Sequence, residues 1–342
     1  MINHDRKRMT KSLKTVAVLS ACVLIAMVTL PATSAHPPSR PDVVLLASGL
    51  EGGSGSTIGP GGALFVTEGA AGRISKVDPR TGNRTTFATG LPKSIVGIGG
   101  AIDVAFIGST AYALVTLVGP DVGGSDVVGI YRVDGPDSFS IVADIGDFAL
   151  RNPPNTPFDV PTGVQYAIET FRGGFLVTDG HHNRVLWVTL DGKVTELIAF
   201  GNIVPTGLAV SGNTIHMAEA GPVPHLPADG KIVTFQPWSP IVTNVASGAR
   251  LLVDVEFGLG RTLFALAQGD FPPSPPFPPA GSPALPNTGK LVKVEENGTF
   301  SVVADGLDLP TSLELIGNTA YVVSLTGKIW KIEGVSAPPY GR

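Results

Sequence analysis

The chain has 342 residues, with 24 Lys and Arg against 28 Asp and Glu, and a formal net charge of −4. This acidic balance argues against a nucleic-acid partner, because phosphate binding requires clustered Lys and Arg. The single cysteine, Cys22, excludes a disulfide within the chain and a site with several thiolate ligands.

The first 35 residues are predicted to be a cleavable signal peptide. Five basic residues precede an apolar run from Val16 to Leu30, and small residues then follow as far as Ala35. This order is typical of secretory leaders, and the run is shorter than the ~20 residues that span a bilayer comfortably. An uncleaved anchor and lipidation at Cys22, which ends the sequence Leu19-Ser-Ala-Cys22, are the alternatives.

Cleavage after Ala35 would produce a secreted or periplasmic protein without a membrane segment. Its 19 basic and 27 acidic residues would give a net charge of −8, and it would have no cysteine. About 300 residues usually exceed one compact core. No charged or low-complexity linker divides the chain, which favours a fold of repeated units that pack on their neighbours.

The remainder of the chain is predicted to be all-β. Gly (43) and Pro (30) are abundant, and short β-branched runs are separated by Gly, Asp and Asn turns. One segment recurs six times, with a Gly or basic residue followed by the alternation of a strand. The six copies are Arg73–Asp78, Gly129–Asp134, Arg184–Thr189, Lys231–Gln236, Lys290–Glu295 and Lys328–Glu333.

Each copy lies in the same context. A hairpin such as Gly61–Thr67 or Gly173–Thr178 precedes it, and a short turn and a further strand such as Arg84–Leu91 follow it. Four antiparallel strands of this kind form one blade of a β-propeller. The sequence therefore predicts a single six-bladed β-propeller over residues 36–334, with a C-terminal tail at 335–342.

The two ends of the predicted propeller are complementary. The last copy, Leu309–Glu333, supplies three strands, and residues 42–50 resemble the fourth strand of the preceding blade, Ser301–Leu307. We therefore predict that the N-terminal strand 42–50 completes the last blade and closes the ring, which leaves no long exposed sheet edge.

Loop lengths predict which end of the propeller carries function. The turns between the first and second strands of a blade, and between its third and fourth strands, are short. The other two classes of connection contain every insertion, at 89–101, 117–127, 145–161, 219–230 and 268–289. Both variable classes emerge at one end of a propeller, here called the long-loop face, and loops of this kind usually hold the functional site.

Polar residues begin several of the innermost strands. Alignment of the blades places six residues at equivalent positions: Ser56, Asp103, Gly163, Gly207, Asp254 and Ser312. Asp103 and Asp254 are thus predicted at the rim of the central channel, on opposite sides of the ring. They are the candidate ligands for Ca²⁺ or another divalent cation. The alternative is that each carboxylate caps nearby backbone N–H groups.

A second set of polar residues is predicted on the long-loop face. Glu68, Asp179 and Glu219 end second strands, where an acid either contacts a ligand or accepts hydrogen bonds from the following loop. Asp179 opens the densest polar cluster of the chain, Asp179-Gly-His181-His182-Asn183. His181 and His182 are the candidate catalytic residues, because His transfers protons and binds metals near neutral pH. A simple solvated loop is the alternative.

Two proline-rich loops complete the predicted face. His225 lies in the stiff segment Gly221–Pro227, and Phe271–Pro279 is expected to be extended and polyproline-like. Phe271 and Phe277 either cover the channel or an apolar ligand, or belong to a surface excursion. The sequence has no nucleophile elbow in a strand-to-helix context, no phosphate loop and no His-Glu-x-x-His.

The order of these features resembles the ScyD/ScyE family of secreted propellers, named after scytonemin biosynthesis, over roughly residues 42–334. The blade pattern is also similar to NHL-repeat and gluconolactonase-type propellers. The matching segments are Ala47–Leu50, Gly61–Glu68, Ile102–Phe106, Ala143–Phe148 with Asn152 and Pro153, Leu176–Gly180 with Asn183 and Arg184, Val204–Gly207, Leu252–Phe257 and Leu309–Ser312.

The resemblance implies an exported propeller, and some relatives take part in late extracytoplasmic steps of pigment assembly. Lactonase-type relatives bind a divalent ion in the channel through carboxylate and amide side chains. Asp103 and Asp254 fit such a set, whereas Gly163 and Gly207 depart from it. We expect a module that binds a small organic ligand or an extracytoplasmic protein on the long-loop face. The alternative is a metal-dependent, lactonase-like hydrolase or another enzyme of secondary-metabolite assembly.

Overall fold

The computed structural model describes residues 41–279 and 281–336. The predicted signal peptide, with Cys22, and residues 337–342 of the predicted tail lie outside the described residues. Within the described ranges, no helix is both long and apolar enough to cross a membrane.

The described residues form 24 β-strands and one α-helix. The first twelve strands are β1 (Val43–Ser48), β2 (Gly53–Ile58), β3 (Leu64–Glu68), β4 (Arg73–Val77), β5 (Arg84–Thr89), β6 (Gly100–Ile107), β7 (Thr110–Thr116), β8 (Gly129–Gly135), β9 (Ser138–Asp144), β10 (Gln165–Phe171), β11 (Gly174–Asp179) and β12 (Arg184–Val188). The other twelve are β13 (Val194–Ala199), β14 (Pro205–Ser211), β15 (Thr214–Glu219), β16 (Lys231–Phe235), β17 (Val242–Ser247), β18 (Leu252–Phe257), β19 (Leu263–Ala267), β20 (Gly289–Val294), β21 (Phe300–Leu307), β22 (Pro310–Ile316), β23 (Thr319–Ser324) and β24 (Lys328–Glu333). The helix is α1 (Ile145–Arg151).

These strands form six four-stranded antiparallel sheets, which are the six blades of the predicted propeller. Blades one to five are β2–β5, β6–β9, β10–β13, β14–β17 and β18–β21. Blade six contains β22, β23 and β24, with β1 as its outermost strand. The six repeated segments of the sequence are the third strands of the six blades, so the predicted fold class is confirmed.

Strand β1 is antiparallel to β24 along its whole length. Val43 lies opposite Ile332 and Ser48 opposite Lys328, with a register shift between Leu45 and Ala47. Beyond the strand, Leu50 is buried against the core of blades one and six. The apolar run within residues 42–50 thus adds one strand to a sheet whose other strands lie at the far end of the sequence, and Val43, Val44 and Leu45 stay exposed on it.

The core consists of apolar layers between neighbouring blades. The second strands are buried along almost their whole length because both faces of each blade pack on another blade. Aromatic rings cross these layers, with Phe65 of blade one 4.6 Å from Phe106 of blade two. Tyr112 of blade two is similarly 4.8 Å from Phe175 of blade three. Offset and edge contacts at this distance add to the area buried.

Hydroxyl groups join neighbouring blades close to the central channel. The Thr67 Oγ1 donates to the Ile102 carbonyl at 3.0 Å, and the Thr206 Oγ1 donates to the Leu252 carbonyl at 2.8 Å. Between blades six and one, the Ser56 backbone N–H donates to the Ser312 Oγ at 3.0 Å. These bonds satisfy polar groups around a channel in which the inner strands have no fifth strand to pair with.

Helix α1 was not predicted from the sequence. It occupies the start of the long connection between β9 and β10, and the Asp144 side chain caps it by accepting a 2.7 Å hydrogen bond from the Asp147 backbone N–H. Acidic residues at the cap and first turn are favourable there. The Asp-x-x-Asp spacing was the available signal, although seven residues are too few to show helical periodicity.

The residues that follow β24 pack on the propeller. The Gly334 and Val335 N–H groups both donate to the Asn318 carbonyl, and Val335 is buried in the core between blades five and six. The predicted tail at 335–342 therefore begins with two residues, Val335 and Ser336, that are part of the packed body.

Candidate functional site

A cavity of about 430 Å³ opens on the long-loop face, and residues of all six blades line it. They come from the starts of the inner strands and from the connections between blades and between second and third strands. Asp103, Tyr166, His181, His225 and Gln268 carry most of its polar chemistry. We call this space the upper cavity. Its position agrees with the end of the propeller that loop lengths predicted.

The base of the upper cavity is a ring of inner-strand residues in the central channel. Asp103, Ala167, Asp254 and Ser312 line both the upper cavity and a second space of about 190 Å³ below it, the lower channel. Three further carboxylates, Glu169, Glu256 and Glu314, line the lower channel. Burial raises the pKa of Glu169 to about 7 and raises the pKa values of Glu256 and Glu314 well above their usual range.

Asp103 and Asp254 use their carboxylates in the same way. The Asp103 Oδ1 accepts from its neighbour Val104 N–H at 2.9 Å, and its Oδ2 accepts from Ile168 N–H in blade three at 2.8 Å. The Asp254 oxygens accept from Val255 N–H at 2.9 Å and, in blade six, from Leu313 N–H at 2.7 Å. Each carboxylate thus joins two blades. Burial raises the pKa of Asp254 to about 7 and that of Asp103 well above its usual value.

The ring at this level differs from the sequence alignment in blade three. Gly163 was placed there, but it lies in the connection before β10, with φ +77°, and its Cα side faces the Asp179 carboxylate. Ala167 occupies the level instead, since it lines both spaces as Asp103 and Asp254 do. The long connection that contains α1 shifts the start of the strand, and the alignment did not allow for that shift.

A site for a divalent cation requires several ligand side chains that converge on one position. Among residues 41–279 and 281–336, no three His, Cys, Asp or Glu side chains are placed to hold one metal ion. All four oxygens of Asp103 and Asp254 already accept backbone N–H groups. The described side chains therefore do not form a complete cation site, and the predicted metal stays a prediction.

Glu68 is a buried acid that the structure pairs with a base. Its carboxylate accepts from the Glu51 N–H at 2.7 Å and from the Arg73 Nε at 3.0 Å, and the Ser75 hydroxyl donates to it as well. Burial would raise the pKa of Glu68, but the bonds from Arg73 and Ser75 outweigh burial and hold the pKa below its usual value. The residue does not line the upper cavity.

Asp179, His182 and Arg184 form a buried network behind the cavity wall. The Arg184 Nε donates to Asp179 at 3.1 Å, and its Nη2 lies 3.0 Å from the His182 Nδ1. The His182 Nε2 lies 3.0 Å from the Val160 carbonyl, and its Nδ1 lies 3.1 Å from the Asp179 Oδ2 as well as beside Arg184. The network fixes the 180–183 turn, and His182 does not reach the cavity.

His181 points the other way and lines the upper cavity. Its ring has no hydrogen-bond partner within the described part of the chain. Burial lowers the pKa of His181 despite the nearby Asp179, so the ring is neutral at pH 7. Of the two adjacent candidate catalytic histidines, the structure brings one to the cavity and places the other in the loop interior.

Glu219 occupies the position of Glu68 and Asp179 in blade four. It lies opposite Lys231 in the strand register, as Glu68 lies opposite Arg73 and Asp179 opposite Arg184. Here the base is a Lys, and no ion pair within 4.0 Å forms between the described side chains. Glu219 is only 4% exposed, and burial raises its pKa to about 7 against the smaller effect of Lys231.

His225 and Phe271 meet at the cavity wall. His225 is 5% exposed, has φ +56° and lines the cavity. Its Nδ1 lies 2.8 Å from the Gly221 carbonyl and 3.1 Å from the Ala220 carbonyl. The ring meets Phe271 edge to face, with centroids 4.9 Å apart. Phe271 is 2% exposed and supports His225 from behind, whereas Phe277 is 36% exposed, and neither Phe lines the cavity.

Sequence reasoning missed the exposed acid Asp159 and several uncharged polar residues of the upper cavity, among them Gln165, Tyr166 and Gln268. The Gln165 Oε1 accepts from the Thr116 Oγ1 at 2.8 Å, and the Gln268 Oε1 accepts from the Ala284 N–H at 3.0 Å. Burial raises the pKa of Tyr166 to about 12. The only signal of these three uncharged residues was position, at the start of an inner strand or just after a second strand, because uncharged side chains form no recognisable motif.

Comparisons with known proteins agree with this architecture. No family model matches the chain, and no curated protein sequence does. Solved propeller structures do match. Virginiamycin B lyase from Staphylococcus aureus is 16% identical, with 85% of this chain and 98% of that chain covered and a TM-score of 0.52.

Two further solved structures are similar over the same region. Aldose sugar dehydrogenase from Streptomyces coelicolor, in its PQQ-bound form, is 14% identical over 87% of this chain and 99% of that one, with a TM-score of 0.58. A gluconolactonase from Xanthomonas campestris is 10% identical over 85% and 89%, also with a TM-score of 0.58. At these identities the likeness shows the fold alone. The class that fold and site define is a six-bladed β-propeller with a cavity at one end of its channel.

Proposed function

We propose that this protein is an exported propeller that binds a small organic ligand in the upper cavity. One observation carries the proposal: the cavity lies where the loops of six blades converge, on a rigid scaffold. Its volume suits a small molecule, since ligand sites are usually clefts of ~300–1,000 Å³ with an apolar lining and a few polar groups. The apolar share comes from residues such as Ile98, Val223, Leu251 and Val253.

A fragment screen by saturation-transfer NMR tests this function on the purified mature chain. Ala70 is exposed and lines the cavity, so Ala70→Trp is expected to fill the opening and abolish saturation transfer to the fragments. Leu190→Trp is the matched control, because Leu190 is exposed in the turn between β12 and β13 at the other end of the blade. Fragments that bind all three proteins equally would show that the upper cavity is not the binding site.

An enzyme acting on a lactone or another secondary metabolite is the second candidate. It is favoured by the unpaired ring of His181, which faces the same space as the Asp103 and Asp254 carboxylates. Gluconolactonase is moreover among the similar propellers. In this reading His181 takes a proton from water or the substrate, and the protein acts as a hydrolase of the gluconolactonase type.

Hydrolysis of glucono-δ-lactone, followed with a pH indicator, tests the second candidate. His181→Gln is expected to lower the turnover number about 100-fold, the usual contribution of a general base. His216→Gln is the control, since His216 lies within β15 and packs on Phe257 away from the cavity. Turnover that is absent in the wild-type protein, or equal in both variants, would reject this reading.

A further inference from the structure

Among its described residues, the upper cavity is lined by acids and by no strong base. Three carboxylates line it, Asp103, Asp159 and Asp254, and none of its described lining residues is a Lys or Arg. Protein sites for carboxylate or phosphate normally provide Arg or Lys, which bind those groups through charge-assisted hydrogen bonds. An anionic ligand would find no Lys or Arg in the described lining to replace the hydration that it loses.

His225 adds a hydrogen-bond acceptor whose state the structure determines. The Nδ1 lies beside two carbonyl oxygens, which only accept, so Nδ1 carries the proton. Burial lowers the pKa of His225, so the ring is neutral and Nε2 holds a free lone pair. Nε2 has no partner within the described part of the chain. Because the Nδ1 edge is turned into the loop, the Nε2 edge is the one that His225 presents to the cavity.

The orientation of the His225 ring is fixed by its surroundings. Two main-chain carbonyls, the Phe271 ring and a left-handed backbone at φ +56° hold the residue in one orientation. A ligand that donates an N–H or O–H to Nε2 would therefore meet a fixed acceptor that no described residue already occupies.

We propose that the upper cavity binds an organic amine, with its N–H groups directed at His225 and the channel carboxylates and its apolar body against the cavity wall, and that it rejects carboxylates and phosphates. This proposal rests on the proposed function and specifies the ligand class for it. Apolar contacts would come from Val223, Leu251 and Val253, which lie in the same part of the lining.

The test is a library with equal numbers of primary amines, alcohols and carboxylates built on the same aromatic bodies, such as 2-phenylethylamine, 2-phenylethanol and 3-phenylpropanoate. Affinities are measured by NMR titration of the mature protein at pH 7. Amines are expected to bind at least about tenfold more tightly than the matched carboxylates, which corresponds to ~1.4 kcal/mol. Alcohols, which donate but carry no charge, are expected to lie between them.

Two variants separate the contributions. His225→Asn keeps an N–H donor near the Nδ1 position and tolerates a positive φ, but it has no group at the Nε2 position. We expect a lower melting temperature, because the contact with Phe271 is lost, with the cooperative transition kept. We also expect a loss of amine affinity of about tenfold, the effect of one hydrogen bond. Ser282→Lys places a cation on the cavity wall, where the Ser282 side chain makes no hydrogen bond to a described residue, and is expected to reverse the preference toward carboxylates.

The outcomes distinguish the two levels of the proposal. If carboxylates bind the wild-type protein as well as amines do, and Ala70→Trp blocks both, the ligand class is wrong while the cavity remains the binding site. If no compound class responds to Ala70→Trp, the proposed function itself fails. If His225→Asn loses amine and carboxylate binding equally, His225 does not select the ligand, and the inference is overturned.

Discussion

Buried acid–base pairs recur at one position of the blade, and their chemistry differs from blade to blade. Glu68 with Arg73 and Asp179 with Arg184 are in direct contact, at 2.5 and 3.1 Å, whereas Glu219 has only the more distant Lys231. A Lys ammonium cannot reproduce the planar, bidentate geometry of an Arg. The same position in the repeat therefore holds a firmly ionised acid in blade one and an acid with a raised pKa in blade four.

Glu219 makes stability depend on pH. Its pKa of about 7 in the folded protein lies above the ordinary value of 4.5. The stability that it contributes is therefore complete below about pH 4.5 and is lost as the pH rises through about 7. Glu219→Gln is expected to leave the melting temperature unchanged at pH 4 and to raise it at pH 8. The corresponding gain in unfolding free energy at pH 8 is at most about 3 kcal/mol. Glu296→Gln, in the exposed turn between β20 and β21, is the control substitution.

Arg184 is a buried base, and its removal would leave the Asp179 carboxylate buried without its main partner. The residue is fully buried, and Arg184→Met would leave Asp179 without its main partner. Breaking a buried pair from one side typically costs about 3–5 kcal/mol. Arg132→Met removes the half-exposed partner of Asp134 and is expected to cost less than about 1 kcal/mol. Urea unfolding of the two variants measures the contrast, and equal losses would contradict the network described here.

The sequence predicted the strands better than it predicted the site. Period-two alternation in segments such as Lys328–Glu333 identified all six third strands, because buried side chains in these strands are interspersed with partly or fully exposed ones. The neighbours His181 and His182 could not be separated in that way. Their directions depend on a turn in which Asn183 has φ +54° and on the Asp179–Arg184 contact. Ala167, Gln165 and Gln268 carry no motif, so only coordinates could assign them.

At the scale of the element, β1 is the strand on which the ring depends. Deleting residues 42–50 would expose the outer edge of β24 and remove Leu50 from the core of blades one and six. An unpaired edge of this kind promotes association between molecules. The truncated protein is expected to aggregate and to lose its cooperative melting transition in calorimetry.

A synthetic peptide of residues 41–50 provides the control for that deletion. Added in excess, the peptide is expected to restore solubility and a single melting transition, and a scrambled peptide of the same composition is not. A truncated protein that stays soluble and melts cooperatively without peptide would show that the three-stranded blade suffices.

At the scale of the whole molecule, the predicted signal peptide determines at which residue the mature protein begins. Expression of the full-length sequence in a bacterial host with fractionation is expected to give an extracytoplasmic protein whose first residue is His36. A protein that begins at residue 1 and stays with the membrane would favour the uncleaved anchor. A protein that begins with a modified Cys22 would favour lipidation.

A sheet shared by both ends of the chain imposes an order on folding. Val43 can pair with Ile332 only after nearly the whole chain has been synthesised, so an early strand has to wait for a late one. Contacts so distant in sequence form slowly, and until then each molecule presents both an unpaired strand and the gap that fits it. Two incomplete rings could therefore exchange strands and become linked. Because the sixth blade is built from two distant parts of the sequence, refolding at low protein concentration and over a long time is expected to favour the monomer over strand-exchanged dimers.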